Sequence, residues 1–221
     1  MGHMQLTLIQ TISIWVLPIL FAVTAHEAAH GYAAYLLGDK TASVLGRLTL
    51  NPVKHIDVFG TLIVPITLLL LNIGVILGWA KPVPVNHHNF NNPRRDMALV
   101  ALAGPSSNFI MAIIWAAITK GSAILLMYNF PGALAIHLMG EAGISINLML
   151  MILNLLPIPP LDGSHIVAGM LPRVVAAGYE RIAPYGFFIL LALLYFGVID
   201  VIVVPVIQFL HGLIGIVFGL P

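Results

Sequence analysis

The sequence contains no cysteine and very little charge. Of its 221 residues, 8% are Asp, Glu, Lys or Arg and 60% are hydrophobic. Without cysteine the chain can form no disulfide, thiolate metal ligand or cysteine nucleophile, so any metal site must use histidine and carboxylate groups. A soluble domain carries about 25% charged residues, so this composition predicts a polytopic protein embedded in a lipid bilayer. The net charge of +1, without a basic cluster, gives no indication of nucleic-acid binding.

Long apolar stretches make up most of the chain. They cover residues 6–37, 58–79, 97–127, 134–156 and 182–220. Because about 20 apolar residues span a bilayer as a helix, we expect an all-α polytopic membrane protein with about five transmembrane helices, within a range of about four to six. The last stretch is long enough for two short spans, with a break at residues 197–200 and Pro205. We expect one membrane-embedded domain over residues 4–221, with residues 1–3 as a cloning remnant.

Two polar segments separate the first three apolar stretches. Residues 41–57 contain a partly alternating run from Ser43 to Leu50, flanked by Gly and Pro, which predicts a short strand or β-hairpin. Residues 81–96 begin with Lys81-Pro-Val-Pro-Val85 and are typical of an extended connector, because proline disfavours helix. Residues 43–50 and 82–85 could pair with an extended substrate as added strands, although a purely structural hairpin is equally consistent with the pattern.

Two histidines and a glutamate lie together inside the first apolar stretch, as His26-Glu27-Ala28-Ala29-His30. Positions i and i+4 share one face of a helix, so both imidazoles can hold one zinc ion while Glu27 accepts a proton from bound water. Ionisable residues within a membrane span are functional by default. The alternative is a pair of helix-facing histidines whose ring nitrogens are satisfied by the backbone or by water.

Asp162 is the best candidate for a third metal ligand. It follows the apolar stretch 134–156, which Pro157, Pro159 and Pro160 interrupt just before it. Irregular backbone at membrane depth is tolerated only where it is buried in protein or lines a wet cavity, which suits a metal-binding carboxylate. The alternative is an aspartate at the membrane interface that caps the following helix, residues 163–171.

A shared metal fixes the path of the chain through the membrane. His26 and His30 lie near the exit of the first span, on a face that we name side A, and Asp162 must lie at the same depth. Residues 58–79 must then leave side A and return to it as a re-entrant segment, because a full crossing would separate the two halves of the site by much of the ~30 Å hydrocarbon layer.

The distribution of positive charge gives an independent indication of orientation. With a re-entrant segment, only Lys120 lies toward the opposite side, side B. The cations on side A are then Lys40, Arg47, Lys54, Lys81, Arg94, Arg95, Arg173 and Arg181. Because cytoplasmic loops are enriched in Lys and Arg, this split predicts that side A is cytoplasmic.

Several short motifs together resemble the site-2 protease family of intramembrane zinc metalloproteases, in its compact prokaryotic form. These motifs are spread from the first apolar stretch to about residue 170. They are His26-Glu-Ala-Ala-His30, Gly46-Arg-Leu-Thr-Leu-Asn-Pro52, Lys81-Pro-Val-Pro-Val85, Ala103-Gly-Pro-Ser-Ser-Asn108, Asn154-Leu-Leu-Pro157 and Leu161-Asp-Gly163. The resemblance implies one zinc ion held by His26, His30 and Asp162, with Glu27 as general base, at a site that faces the cytoplasm.

The resemblance also implies the reaction, which is hydrolysis of peptide bonds within or near the transmembrane helix of a membrane protein substrate. Such a substrate, a single-span membrane protein, must be unwound locally, because helical peptide bonds are closed to attack. Asn154 could hydrogen-bond the developing oxyanion or the substrate backbone, or it could equally satisfy carbonyls near the prolines. Residues 104–108 indicate close helix packing through small side chains.

A different class of function has to be weighed. Intramembrane histidine and carboxylate groups also line ion pathways, so a zinc or other divalent cation transporter or channel is the alternative. Transporters often contain internal repeats, which this sequence lacks, and a carrier has no need for Glu27 between its ligands. The protease is therefore the favoured interpretation, and the oligomeric state is left open.

Overall fold

The described part of the chain is helical. The computed structural model describes residues 6–64, Thr67, Leu70 and 78–220, and in this part no strand is found. The α-helices are α1 (Leu8–Leu36), α2 (Thr41–Val44), α3 (Pro93–Met127), α4 (Ala133–Leu155), α5 (Asp162–Met170), α6 (Arg173–Glu180), α7 (Gly186–Tyr195) and α8 (Val198–Phe218). Shorter turns of 3-10 helix cover Pro52–His55, His87–Asn89 and Ala183–Tyr185, and a π-helical turn covers Val58–Ile63.

Five helical segments of the described residues are long and apolar enough to cross a membrane, which confirms a polytopic membrane protein. They are Leu8–Leu36, Pro93–Met127, Ala133–Leu155, Arg173–Tyr195 and Val198–Phe218. The break predicted near residue 197 is present, because Gly197 adopts the left-handed conformation (φ 69°) between α7 and α8. The break predicted at Pro205 is absent, since this proline lies inside α8.

The centre of the bundle is the pair α3 and α4, with α1 packed against both and α8 packed mainly against α4. Ile144 and Leu148 on α4 are fully buried. They belong to a cluster that also contains Ala112, Trp115 and Ala116 of α3 and Ile199, Val203 and Ile214 of α8. This packing attaches the last helix, for which the sequence offers no motif, to the two helices that form the centre.

The β-hairpin predicted for residues 41–57 is not formed. Asp39, which is fully buried, accepts hydrogen bonds from the backbone N–H of Thr41 (3.0 Å) and from its hydroxyl (2.5 Å), and α2 begins there. The Asn51 side chain accepts from the Val53 N–H (3.0 Å) and starts the turn at Pro52–His55. Such local bonds from Asp and Asn side chains favour turns over strands, and the partial alternation was too weak to oppose them.

The predicted re-entrant segment, residues 58–79, lies largely outside the described residues. Its two ends are described and they are joined. The Trp79 N–H donates to the Gly60 carbonyl (3.1 Å), and the Thr61 hydroxyl donates to the Trp79 carbonyl (3.0 Å). The segment therefore begins and ends at one place in the protein.

Candidate metal centre

Three candidate ligands from two segments that are distant in the sequence meet near the carboxyl end of α1. His26 and His30 lie one helical turn apart on α1, and Asp162 is the first residue of α5. Gly163 lets α5 begin directly against the end of α4, because a β-carbon there would collide with the carbonyl groups of Leu155 and Leu156. The structure thus brings all three predicted ligands together.

The three side chains lie within contact distance and are largely shielded from solvent. The Asp162 Oδ2 atom is 3.2 Å from His26 Nε2 and 3.4 Å from His30 Nε2, and the two Nε2 atoms are 3.1 Å apart. The exposed fractions of these side chains are 10% for His26, 12% for His30 and 17% for Asp162. Among the residues described, this is the one group of histidine and carboxylate side chains that could jointly hold a metal ion.

The hydrogen bonds of the two Nδ1 atoms determine where the imidazole protons lie. The Asn108 amide nitrogen donates to the Ala22 carbonyl (3.2 Å), which leaves its oxygen to face His26 Nδ1 at 2.6 Å. His30 Nδ1 lies 2.8 Å from the Val100 carbonyl. Both partners are acceptors, so each neutral ring carries its proton on Nδ1 and directs a lone pair from Nε2 toward the other ring and Asp162.

A cluster of three lone pairs is the chemistry expected of a metal site. Asp162 Oδ2 is buried without a hydrogen-bond donor, and imidazole rings in the neutral form that binds metals, with the proton on Nδ1, supply none to it. Tetrahedral zinc with bonds of about 2.0–2.2 Å places its ligand atoms about 3.3–3.6 Å apart. The observed separations of 3.1, 3.2 and 3.4 Å lie inside this range or just below it. The residues present therefore fit a zinc ion, and three protein ligands leave a further position for water.

Gly104 on α3 provides the space that the two imidazoles occupy. A β-carbon at this position would lie 2.5 Å from the Cε1 and Nε2 atoms of His30 and 2.6 Å from Cε1 of His26. Such contacts are closer than van der Waals packing allows. The close helix packing predicted for residues 104–108 is therefore present at Gly104. The atoms that Gly104 packs against are the imidazoles of the candidate metal centre.

Glu27 lies next to the metal-binding face and is held by the connector after residue 80. Its Oε2 atom accepts a hydrogen bond from the Val83 N–H (2.9 Å). The carbonyls of Lys81 and Pro82 accept from the guanidinium group of Arg47 (3.0 and 3.3 Å). These groups are therefore already bonded within the chain, which argues against pairing of a substrate strand with residues 82–83.

Asn154 lies in the last turn of α4 and is half-buried. Its side-chain nitrogen donates to the Leu150 carbonyl (3.0 Å), one turn earlier in the same helix. This bond uses one of the two hydrogens of the Asn154 amide. The amide of Asn154 therefore satisfies a carbonyl of its own helix before the prolines.

Sequence reasoning missed the role of two asparagines that link three helices. Asn108 on α3 and Asn147 on α4 are fully buried, and the Asn108 amide nitrogen donates to the Asn147 oxygen (3.0 Å). The Asn147 nitrogen donates in turn to the Gly143 carbonyl (2.8 Å). A chain of amides therefore runs from α4 through α3 to His26 on α1. Their occurrence inside strongly apolar helices was the available signal.

Arg94 also escaped the sequence analysis. Its guanidinium group donates to the carbonyls of Ala168 (2.7 Å) and Leu171 at the end of α5. Cations are favourable at helix carboxyl ends. The contact ties the helix that carries Asp162 to the start of α3, although nothing in the local sequence around Arg94 indicates it.

A second group of ionisable side chains lies toward the other end of the bundle. Glu141 on α4 pairs with His211 on α8 (3.5 Å), and His137 Nδ1 lies 3.2 Å from the Ser122 hydroxyl. These residues take no part in the metal centre. They join helices, as intramembrane polar pairs commonly do.

Comparison with known proteins gives matches to peptidases. The model of the family described as "Peptidase family M50" matches residues 132–196. This range contains Asp162 and Asn154. No solved structure gives a significant match.

The curated relatives are similar over most of this chain. A protein named "Putative zinc metalloprotease YwhC" from Bacillus subtilis is 42% identical over 185 residues, which cover 80% of this chain and 78% of the relative. Proteins named "Putative zinc metalloprotease Rip2" from Mycolicibacterium smegmatis and Mycobacterium tuberculosis are 29% and 32% identical over 179 residues. These alignments cover 79% of this chain, and 64% and 62% of the two mycobacterial proteins.

Proposed function

The chain belongs to peptidase family M50, which confirms the resemblance to site-2 proteases, and from this premise we propose that it is an intramembrane zinc metalloprotease. It hydrolyses peptide bonds within or near the transmembrane helices of membrane protein substrates. The observation that carries the proposal is the convergence of the His26, His30 and Asp162 lone pairs beside Glu27, in a bundle of membrane-spanning helices. The names of the relatives agree with zinc as the metal.

Each residue of the centre has a distinct role in this proposal. His26, His30 and Asp162 hold one zinc ion, and when bound the ion supplies Lewis acidity to water and to the scissile carbonyl. Glu27 accepts the proton of the attacking water and delivers it to the departing amine nitrogen. Because Val83 holds Oε2 of Glu27, we assign this proton transfer to the other carboxylate oxygen, Oε1.

Asn154 is assigned to the substrate side of the centre. It lies in the same α4 turn as Leu155, whose carbonyl borders the start of α5. In this proposal its second amide hydrogen donates to the oxyanion or to an extended substrate backbone. Asn154→Asp should therefore lower turnover and leave zinc content unchanged, and full turnover would contradict the assignment.

We further propose that the protein lies in the cytoplasmic membrane with its centre toward the cytoplasm, and that residues 58–79 are re-entrant. The joined ends of this segment, at Gly60 and Trp79, support the return to one side. The contact of Ala34 near the end of α1 with Phe90 and Val100 near the start of α3 supports it as well. The excess of Lys and Arg on this side, side A, supports the cytoplasmic orientation.

The decisive experiment uses purified protein with a single-span membrane substrate. The wild type should cut the substrate, whereas Glu27→Gln should retain zinc and lose cleavage by about 100-fold or more, because the general base is gone. Glu141→Gln is a matched control, since this glutamate pairs with His211 away from the centre, and it should cut like the wild type.

Two results would count against the protease. One is cleavage by Glu27→Gln at the wild-type rate. The other is zinc flux into liposomes that the Glu27→Gln change leaves intact, together with an absence of cleavage by the wild type, which would favour a cation carrier.

A further inference from the structure

The peptide group between Pro82 and Val83 lies between two opposite charges. Its N–H donates to Oε2 of Glu27 (2.9 Å), and its carbonyl accepts from Nη2 of Arg47 (3.3 Å). The same guanidinium nitrogen also donates to the Lys81 carbonyl (3.0 Å). One rigid, planar peptide unit therefore connects the Arg47 cation to the Glu27 carboxylate.

The register of this segment is fixed by its prolines. Pro82 and Pro84 have no N–H, and the N–H of Lys81 is bonded to the His55 carbonyl (2.8 Å). A shift by one residue in either direction would present a proline to Glu27 and lose the hydrogen bond. The Val83 N–H is therefore placed opposite Glu27 by the sequence itself.

Packing on α1 keeps the peptide close to Glu27. Gly31 lies one turn after Glu27, and a β-carbon there would be 3.2 Å from a methyl group of Val83 and 3.0 Å from one of Leu48. Val83 as a whole residue is 7% exposed. Val83 thus packs against α1, the helix that carries His26, Glu27 and His30. The Arg47 side chain contacts the peptide from the other direction, from the segment after α2.

We propose that Arg47 is a positioning residue for Glu27, acting through the Pro82–Val83 peptide group. This inference rests on the proposed role of Glu27 as general base. A cation at the carbonyl end polarises the peptide and strengthens the N–H as a donor, because hydrogen bonds in a chain reinforce one another at low dielectric. Arg47 thereby holds one carboxylate oxygen of Glu27 in place and leaves the other directed at the substrate side.

The kinetic test separates positioning from substrate binding. In the full-length protein, with a fluorogenic single-span peptide that the wild type cuts, Arg47→Ala should lower kcat by roughly 10- to 100-fold. KM and zinc content should stay near their wild-type values. Arg47→Lys should restore part of kcat, because an ammonium group can still bind a carbonyl. Arg95→Ala removes an exposed arginine of the same side and should have no effect.

A double-mutant cycle tests whether Arg47 acts through this peptide. Val83→Pro removes the N–H that Glu27 accepts, so Arg47→Ala should lower kcat little further in that background. An equal loss in both backgrounds would overturn the proposal, because Arg47 would then act independently of the peptide. A loss of zinc, or an increase in KM alone, in Arg47→Ala would overturn it as well.

A spectroscopic readout removes the dependence on cleavage. The chain has three glutamates, Glu27, Glu141 and Glu180, so carboxyl-13C glutamate gives three NMR signals, and Glu27→Gln identifies one of them. Arg47→Ala and Val83→Pro should move the Glu27 signal and leave the other two in place. An unmoved Glu27 signal refutes the positioning role, whereas a wild type that fails to cut while this signal moves refutes the protease and not the contact.

Discussion

Replacement of Gly104 by alanine should weaken zinc binding strongly without unfolding the protein. The added β-carbon would lie 2.5 Å from two atoms of the His30 ring, whereas carbon atoms in contact are about 3.5–4.0 Å apart. One or both imidazoles must therefore move by about 1 Å. Their Nδ1 bonds to Asn108 and to the Val100 carbonyl resist this movement.

The magnitude follows from the tolerance of metal sites. Ligand distances in such sites agree within about 0.2 Å, and a misplacement of about 1 Å can reduce the function of a site by roughly 100-fold. We expect zinc affinity to fall by at least about 100-fold, or about 2.7 kcal/mol. Replacing a glycine inside a helix by alanine raises the free energy of unfolding by about 1 kcal/mol through helix propensity. This gain offsets part of the strain at the imidazoles, so the protein should remain folded.

Gly121 provides the matched control for this change. It lies on the same helix, α3, and a β-carbon there meets nothing within 4 Å. Gly121→Ala should bind zinc and cut like the wild type and unfold at an equal or slightly higher temperature. Zinc content by mass spectrometry, affinity by chelator competition, and thermal unfolding measure these effects. A Gly104→Ala protein that binds zinc as tightly as Gly121→Ala would refute the geometry described for the centre.

Three further expectations concern Asn108, Asp39 and the metal. Asn108→Ala should weaken zinc binding by about 10- to 100-fold in chelator competition, because His26 loses its Nδ1 partner; Asn147→Ala, which keeps that partner, should have a smaller effect, and the reverse order would contradict the amide chain. Burial raises the pKa of Asp39, but hydrogen bonds from Thr41, Asn86 and Asn89 outweigh this effect and lower the pKa below its usual value. The ionised Asp39 therefore stabilises the fold fully above a pH of about 4, and this stabilisation is lost as the pH falls further through the pKa of the folded state. Below this pH the unfolding temperature should decline for the wild type and decline less for Asp39→Asn. Removal of zinc by a chelator should lower the wild-type unfolding free energy by about 2.7 kcal/mol relative to zinc at 100 times its Kd, with no change in His26→Ala; equal responses would show that zinc binds elsewhere.

The grouping of His26, His30 and Asp162 could be predicted from the sequence because the signals that indicate it are local. His26 and His30 share a helix face by spacing alone, and Asp162 follows a proline-rich break that stands out in an apolar chain. Asn108 could not be assigned in the same way. Its meaning depends on which face of α3 meets α1, and this is decided by packing over 82 residues of sequence separation.

The errors in the fold also have physical causes. Residues 43–50 have some strand-like alternation, but Asp39 binds the Thr41 backbone and Asn51 binds the Val53 backbone, and these local bonds set the conformation. Asp and Asn at such positions therefore indicate turns more strongly than partial alternation indicates a strand. A helix break is also predicted at Pro205, but this proline lies within α8. Proline is tolerated in membrane helices whose freed backbone groups find other partners.

The amide chain from Asn147 to His26 has a consequence for how the helices can slide. Lipid offers no hydrogen-bond partner to replace a broken amide contact. A displacement of α4 or α1 along its axis by one turn, about 5.4 Å, would therefore break several hydrogen bonds at once. The two asparagines therefore fix the position of α1, α3 and α4 relative to one another along the membrane normal. If a change in bilayer thickness tilts these helices, the amide contacts should resist movement at this depth. The His26 imidazole would then keep its orientation while the outer turns of the helices adjust.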